Sequence, residues 1–134
     1  MAQELLVNEQ IEAGAEFVRE FDEYASVVAA FWINPAESDE WFLYTASDEI
    51  DRSKLNVAYG EVRRILGAGK SQWIDPFRVK LIPSSDPIAR EAIRIRDRYP
   101  AQAIPTRYNG SSIGGMSING AYIYPPLSEL KPAP

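Results

Sequence analysis

The chain has 134 residues, a net charge of −5, and neither cysteine nor histidine. This length supports one domain with its own hydrophobic core. Without cysteine and histidine there are no disulfides, no thiolate nucleophiles and no serine–histidine or cysteine–histidine catalytic pairs, and the commonest metal ligands are missing.

The sequence contains no apolar run long enough to span a membrane. Its first residues, MAQELLVNEQ, lack the basic and apolar regions of a signal peptide. We therefore expect a cytoplasmic protein that does not associate with membranes. The sequence predicts no cofactor.

Charge is distributed unevenly along the chain. Residues 1–61 contain 14 acidic and 3 basic residues, whereas residues 62–134 contain 5 acidic and 11 basic residues. The two halves are expected either to face each other or to form two electrostatic poles. Overall acidity disfavours nucleic acid as a partner, since such binding depends on neutralising phosphates.

A first helix is predicted over residues 8–24, with Asn8 as its N-cap. Its apolar residues recur at helical spacing, and acidic residues cover the opposite side. The apolar side consists of Ile11, Ala15, Phe17, Val18 and Phe21, and the acidic side of Glu9, Glu12, Glu16, Glu20 and Glu23.

The following stretch, residues 26–46, predicts a β-hairpin at the centre of a sheet. Two runs rich in β-branched and aromatic residues, SVVAAFWI and WFLYTA, flank the polar connector NPAESDE. Both faces of the runs are apolar, whereas a strand with one solvated face alternates apolar and polar residues. Both faces should therefore be covered, by helices, by a curled sheet or by a second copy of the chain.

A second helix is predicted from about residue 53 to residue 66, with Gly67 in the left-handed conformation after it. Residues 77–82 alternate as an edge strand, with Phe77, Val79 and Leu81 pointing inward. Asp86 followed by Pro87 predicts the start of a third helix that reaches residue 99.

The last third predicts strands at residues 106–108, 113–118 and 121–124. Asn109-Gly110 and Asn119-Gly120 are the expected hairpin turns. The predicted fold is α+β: a mainly antiparallel sheet of five to six strands with three helices on one face, in the order α-β-β-α-β-α-β-β. Residues 1–126 form one domain, and residues 127–134 form a proline-rich tail.

Arginines at four-residue spacing form the best candidate for a ligand surface. Arg90, Arg94 and Arg98 lie on one side of the third helix, with Arg107 further along the chain. This arginine stripe could bind phosphate, nucleic acid or an acidic partner. The favoured interpretation is a solvated face, or pairing with the acidic first helix of the same or another chain.

Two other groups of residues allow both functional and structural interpretations. The carboxylates of Asp48, Glu49 and Asp51 could gather around a divalent metal, but they lack calcium-loop spacing and suit a solvated helix start. Large aromatic residues are typical anchors of protein interfaces and equally typical of cores. The candidates for such an interface are Trp32, Trp41, Tyr122 and Tyr124.

Two stretches resemble a group of small, uncharacterised bacterial proteins. They are AAFWINPAESDEWFLYTAS (residues 29–47) and TRYNGSSIGGMSINGAYIY (residues 106–124). The resemblance implies a bacterial cytosolic protein. It implies no catalytic residue.

Three functions are compatible with these patterns. The first is a non-enzymatic protein-interaction or self-associating module, supported by the hairpin with two apolar faces. The second is a nucleic-acid or phosphate-ligand binder that uses the arginine stripe. The third is an enzyme that works without histidine, for which no nucleophile and base are marked. We expect the first.

Overall fold

The computed structural model describes residues 6–38, 40–67, 72–98, 106–108 and 110–127, with residues 106 and 107 described by their backbone. Its helices are α1 (Asn8–Tyr24), α2 (Leu55–Leu66) and α3 (Pro87–Arg96). Two short 3-10 turns, Arg52–Lys54 and Pro76–Arg78, precede α2 and the third strand. None of the helices in these stretches has the length and apolar character that crossing a membrane requires.

The strands are β1 (Val27–Pro35), β2 (Phe42–Ser47), β3 (Val79–Pro83), β4 (Thr106–Tyr108), β5 (Ser112–Ile113) and β6 (Met116–Ile123). Five of them form a sheet in the order β3-β2-β1-β6-β4, and β5 pairs with the start of β6. All pairings are antiparallel except that of β2 with β3. The predicted α+β class, the mainly antiparallel sheet and the central hairpin are confirmed.

The helices lie on both faces of the sheet, so the prediction of helices on one face was wrong. One core lies between the sheet and the helices α1 and α2, and includes Phe17, Trp32 and Val62. The other lies under α3 and includes Phe31, Ile33 and Ala92. The apolar faces of the hairpin are thus covered by helices of the same chain.

A β-bulge in β1 interrupts the alternation of its side chains between the two faces of the sheet. The register shifts between Val27 and Ala29, and Val27 consequently joins the core under α1 and α2 together with Ala30 and Trp32. Arg96 stabilises this irregularity, since its Nη1 donates a hydrogen bond to the Val28 carbonyl (2.9 Å). A bulge leaves a carbonyl without its ladder partner, and the guanidinium supplies one.

The capping predictions had mixed outcomes. Asp86 accepts a hydrogen bond from the Ile88 N–H (2.8 Å) and Pro87 is the first helical residue, as predicted. Val7 rather than Asn8 is the N-cap of α1, and the Gln10 side chain accepts from its N–H. Gly67 has a right-handed backbone conformation (φ −77°), and the prediction of a left-handed one was wrong.

The hairpin turn near the end of the chain lies at Gly114–Gly115, where both φ angles are positive (56° and 88°). Positive φ at both central residues is the requirement of a type I′ turn. Asn119-Gly120 was wrongly predicted as a turn and lies inside β6. The predicted turn at Asn109-Gly110 lies partly outside the described residues. The third helix was predicted to reach Tyr99, which was wrong, because α3 ends at Arg96 with Asp97 as its C-cap.

Candidate binding surface

The arginine stripe is only partly available to a ligand. Arg90, Arg94 and Arg98 are exposed on α3, and Arg94 forms an ion pair with Glu91 (3.4 Å). Within the described part of the chain, Arg90 and Arg98 make no ion pair. Because α1 and α3 lie on opposite faces of the sheet, the acidic side of α1 does not neutralise the stripe within one chain. The Arg107 side chain lies outside the described residues.

The acidic group after β2 serves local structure. Asp51 caps the Arg52–Lys54 turn by accepting hydrogen bonds from the N–H groups of Ser53 (3.0 Å) and Lys54 (3.2 Å). The Ser53 hydroxyl also donates to Asp51 and lowers the pKa of that carboxyl group. Glu49 accepts from the Ser26 N–H, and Asp48 from the Ser84 hydroxyl. In the described stretches, no group of three or more carboxylates forms a cluster that could hold a metal ion.

Three of the four candidate interface aromatics are buried. Trp32, Tyr122 and Tyr124 belong to the core under α1 and α2, and Trp32 is only 1% exposed. The Tyr124 hydroxyl accepts a hydrogen bond from the Trp32 indole N–H (2.9 Å) and donates one to the Ile11 carbonyl (2.6 Å). Burial raises the pKa of Tyr124. These rings stabilise the fold, while Trp41 remains partly accessible.

The most prominent apolar surface lies in the segment between α2 and β3, which we call the 72–78 segment. Phe77 is 82% exposed and Trp73 is 42% exposed. Between them, Ile74 is buried in the core under α1 and α2 and anchors the segment. Large apolar side chains held in solvent on a short, anchored segment are typical of binding surfaces.

A cap fixes the backbone of this segment. The Asp75 side chain accepts a hydrogen bond from the Phe77 N–H (2.9 Å), and Pro76 begins the 3-10 turn that follows. The prediction that Phe77 points inward was therefore wrong, because the strand begins only at Val79. Asp75-Pro76 repeats the cap-plus-proline pattern of Asp86-Pro87, and this pattern was the sequence signal that could have located the turn.

An ion pair joins the segment to the connector between β1 and β2. The Arg78 guanidinium contacts the Glu40 carboxylate. The connector is itself held to the sheet, since the buried Asn34 side chain donates to the Glu40 carbonyl (3.0 Å) and accepts from the Asn119 side chain (2.6 Å). Trp41, the next residue, is thereby placed beside the segment.

Between the connector and the 72–78 segment lies a cleft of about 180 Å³ that we call the tryptophan cleft. Its lining includes all three tryptophans of the chain. The residues that line it include Gln10, Trp32, Trp41, Trp73, Asp75 and Arg78. Trp32 and Trp41 were candidates from the sequence, whereas Trp73, which lies more than 30 positions further along the chain, was not predicted.

A second, smaller cleft of about 130 Å³ lies on the other side of Phe77. Tyr59, Arg63, Phe77 and Lys80 contribute to its lining. The Tyr59 hydroxyl accepts a hydrogen bond from the Leu81 N–H (3.0 Å) on the outer edge of β3. A side chain thus occupies part of the edge to which an additional strand would pair.

No family model, no curated protein and no solved structure matches this chain.

Proposed function

We propose that this chain is a non-enzymatic module that binds another protein through the 72–78 segment. The observation that carries the proposal is the exposure of Phe77 (82%) and Trp73 (42%) on one anchored segment. Aromatic side chains of this kind supply most of the binding energy in protein interfaces when a partner covers them.

Support for self-association is weaker than the sequence suggested. A second copy was one way to cover the second apolar face of the hairpin, and α3 covers that face within the chain. The partly capped edge of β3 also disfavours pairing of two sheets. A different protein is therefore the preferred partner.

Nucleic-acid or phosphate binding through the arginine stripe has less support. Arg90 and Arg98 are exposed, but Arg94 is paired with Glu91, and Arg96 is engaged by Asp97 and the Val28 carbonyl. We propose a bacterial cytosolic setting for the module, which the resemblance of residues 29–47 and 106–124 supports.

Substitution of Phe77 by serine tests the proposal. Because the ring is exposed, Phe77→Ser should leave the melting temperature unchanged. It should weaken partner binding by about 2 kcal/mol or more, roughly 30-fold, as loss of a central aromatic anchor does. The measurement is quantitative mass spectrometry of proteins that co-purify with the tagged full chain from its own cells.

Val57→Ser is the matched control, since Val57 is 66% exposed on α2 outside the segment. A partner retained by the wild type and by Val57→Ser, and lost with Phe77→Ser, is the predicted result. Identical sets of co-purifying proteins in all three samples would overturn the proposal.

A further inference from the structure

The tryptophan cleft has the size and the lining of a site for one side chain. The buried indole of Trp32 forms part of its lining, and its N–H is satisfied by Tyr124. Trp41 and Trp73 present more accessible indoles. Trp41 packs close to the backbone of β6: a Cβ added to Gly120 would lie 3.7 Å from its ring. The volume, about 180 Å³, suits a single side chain rather than a folded element.

The electrostatics of the cleft favour a cation. Asp75 contributes a carboxylate to the lining and Arg78 a guanidinium, which is itself paired with the Glu40 carboxylate just outside the lining. These three described groups sum to a negative charge. Gln10 of α1 belongs to the lining. The neighbouring Glu9 is exposed and is one of the 14 acidic residues among the first 61. An approaching basic group would thus be attracted over a distance of about one Debye length.

Aromatic walls and carboxylates together are the chemistry that recognises a basic side chain. The face of an indole attracts a lysine ammonium or an arginine guanidinium, and tryptophan is the strongest of the aromatic side chains in this respect. A carboxylate beside the rings adds a charge-assisted hydrogen bond. A neutral saccharide or an apolar side chain would use the rings but gain nothing from the negative charge.

We propose that the tryptophan cleft binds a lysine or arginine side chain of the partner protein. This inference rests on the proposed function, and it names the chemistry of the partner segment: a basic residue seated between Trp41 and Trp73, with Asp75 as its counter-charge. Phe77, on the neighbouring turn, contacts apolar residues of the same partner segment.

Isothermal titration calorimetry of the full chain with short synthetic peptides tests this inference. The probes are an arginine-containing peptide, its lysine counterpart, and a control peptide with glutamine in place of the basic residue. At physiological salt, the basic peptides should bind at least 10-fold more tightly than the glutamine peptide. Equal binding of the glutamine peptide would overturn the inference in favour of a neutral occupant.

Three variants distinguish binding in the tryptophan cleft from non-specific attraction of the peptide to acidic residues elsewhere on the chain. Trp73→Ala removes a wall without changing the charge, and Asp75→Asn removes the charge while keeping an oxygen that can cap Phe77. Each should weaken binding of the arginine peptide at least 10-fold. Glu16→Gln removes the same charge from an exposed position on α1 and should change binding less than 2-fold. Equal effects of Trp73→Ala and Glu16→Gln would refute the cleft as the site.

Failure of the inference about the cleft can be distinguished from failure of the proposed function. If Phe77→Ser abolishes partner capture but the basic peptides do not bind, the inference about the cleft fails and the interaction function stands. If neither experiment shows binding, both fail.

Discussion

At the scale of single residues, Tyr124 links three parts of the molecule. Its hydroxyl joins the Trp32 indole of β1 to the Ile11 carbonyl of α1, and Tyr124 itself follows β6. Gly14 makes the contact possible, because a Cβ at that position would clash with the hydroxyl. One buried polar group thus sets the distance between α1 and the sheet beneath the tryptophan cleft.

Tyr124→Phe should lower the free energy of unfolding by about 1–3 kcal/mol, because it leaves the buried Trp32 N–H without a partner. Urea denaturation measures this loss. Tyr108→Phe is the control, since its hydroxyl donates to the Ser112 carbonyl (3.0 Å) near the surface. We expect a loss below about 1 kcal/mol there. Equal losses in the two variants would contradict this account of Tyr124.

The same variant gives a second readout at alkaline pH. Burial raises the pKa of Tyr124, whereas an unfolded tyrosine ionises near pH 10. Above about pH 10 the unfolded state therefore binds fewer protons than the folded state, and stability falls as the pH rises. Tyr124 contributes no such fall below that pH. In Tyr124→Phe the alkaline fall should be smaller than in the wild type.

Residue-scale predictions from sequence succeeded where periodicity was the only determinant. Val79 and Leu81 alternate into the core as expected. Phe77 continues the same alternation in the sequence but belongs to the preceding turn, where a cap and a proline override the pattern. Burial of the aromatic candidates Trp32, Tyr122 and Tyr124 could not be deduced from composition, since cores and interfaces favour the same rings.

At the scale of elements, the β5–β6 hairpin packs its turn against the beginning of α3. A Cβ at Gly114 would lie 2.5 Å from the Ile88 backbone nitrogen and Cα. Gly115 has positive φ as well, but a Cβ there would meet nothing within 4 Å. Both positions therefore require a residue that tolerates positive φ, and only position 114 also lacks space for a Cβ.

Gly114→Ala should lower the free energy of unfolding by about 2 kcal/mol or more, since it combines a left-handed backbone with a clash against α3. Gly115→Ala should cost about 1–2 kcal/mol, the backbone term alone. Chemical denaturation of the two variants side by side is the measurement. A larger loss for Gly115→Ala would show that the turn does not pack on α3 as described.

Element predictions failed where two turn signals competed. Asn119-Gly120 and Gly114-Gly115 both suit a type I′ turn, and the chain uses the glycine pair. Asn119 is instead the extra residue of a β-bulge, because Asn34 pairs with Gly120 and Pro35 with Ile118. Its side chain bonds to Asn34 and so supports the connector that places Trp41. This pairing joins residues that are far apart in the sequence, so no local sequence pattern predicts it.

At the scale of the whole molecule, the uneven charge distribution becomes a spatial one. The acidic helix α1 and the arginine stripe on α3 lie on opposite faces of the sheet. The two halves of the sequence are not fully separated, however, since Arg78 pairs with Glu40 and Arg64 of α2 lies near Glu20 and Glu23 of α1. The face assignment could not be predicted, because an amphipathic helix specifies which of its sides is buried and not which face of a sheet it covers. The parallel pairing of β2 with β3 was not predicted either, because the alternation of a strand does not specify the direction of its neighbour.

The tryptophan cleft lies on the α1 side of the sheet, where α1, the connector and the 72–78 segment meet. Trp73 reached the cleft through tertiary packing of Ile74, which no local pattern marks. The sequence therefore predicted the class of function we propose, a protein-interaction module, but not its surface.

The most direct test of that surface is site-specific photo-crosslinking in living cells. A benzoyl-phenylalanine placed at position 77 of the full chain keeps the phenyl ring and extends it with the photoreactive benzoyl group, and the same residue at position 57 is the control. The account predicts one discrete crosslinked protein at position 77, identified by mass spectrometry, and none at position 57. No crosslinked protein at position 77, or the same products at both positions, would contradict it.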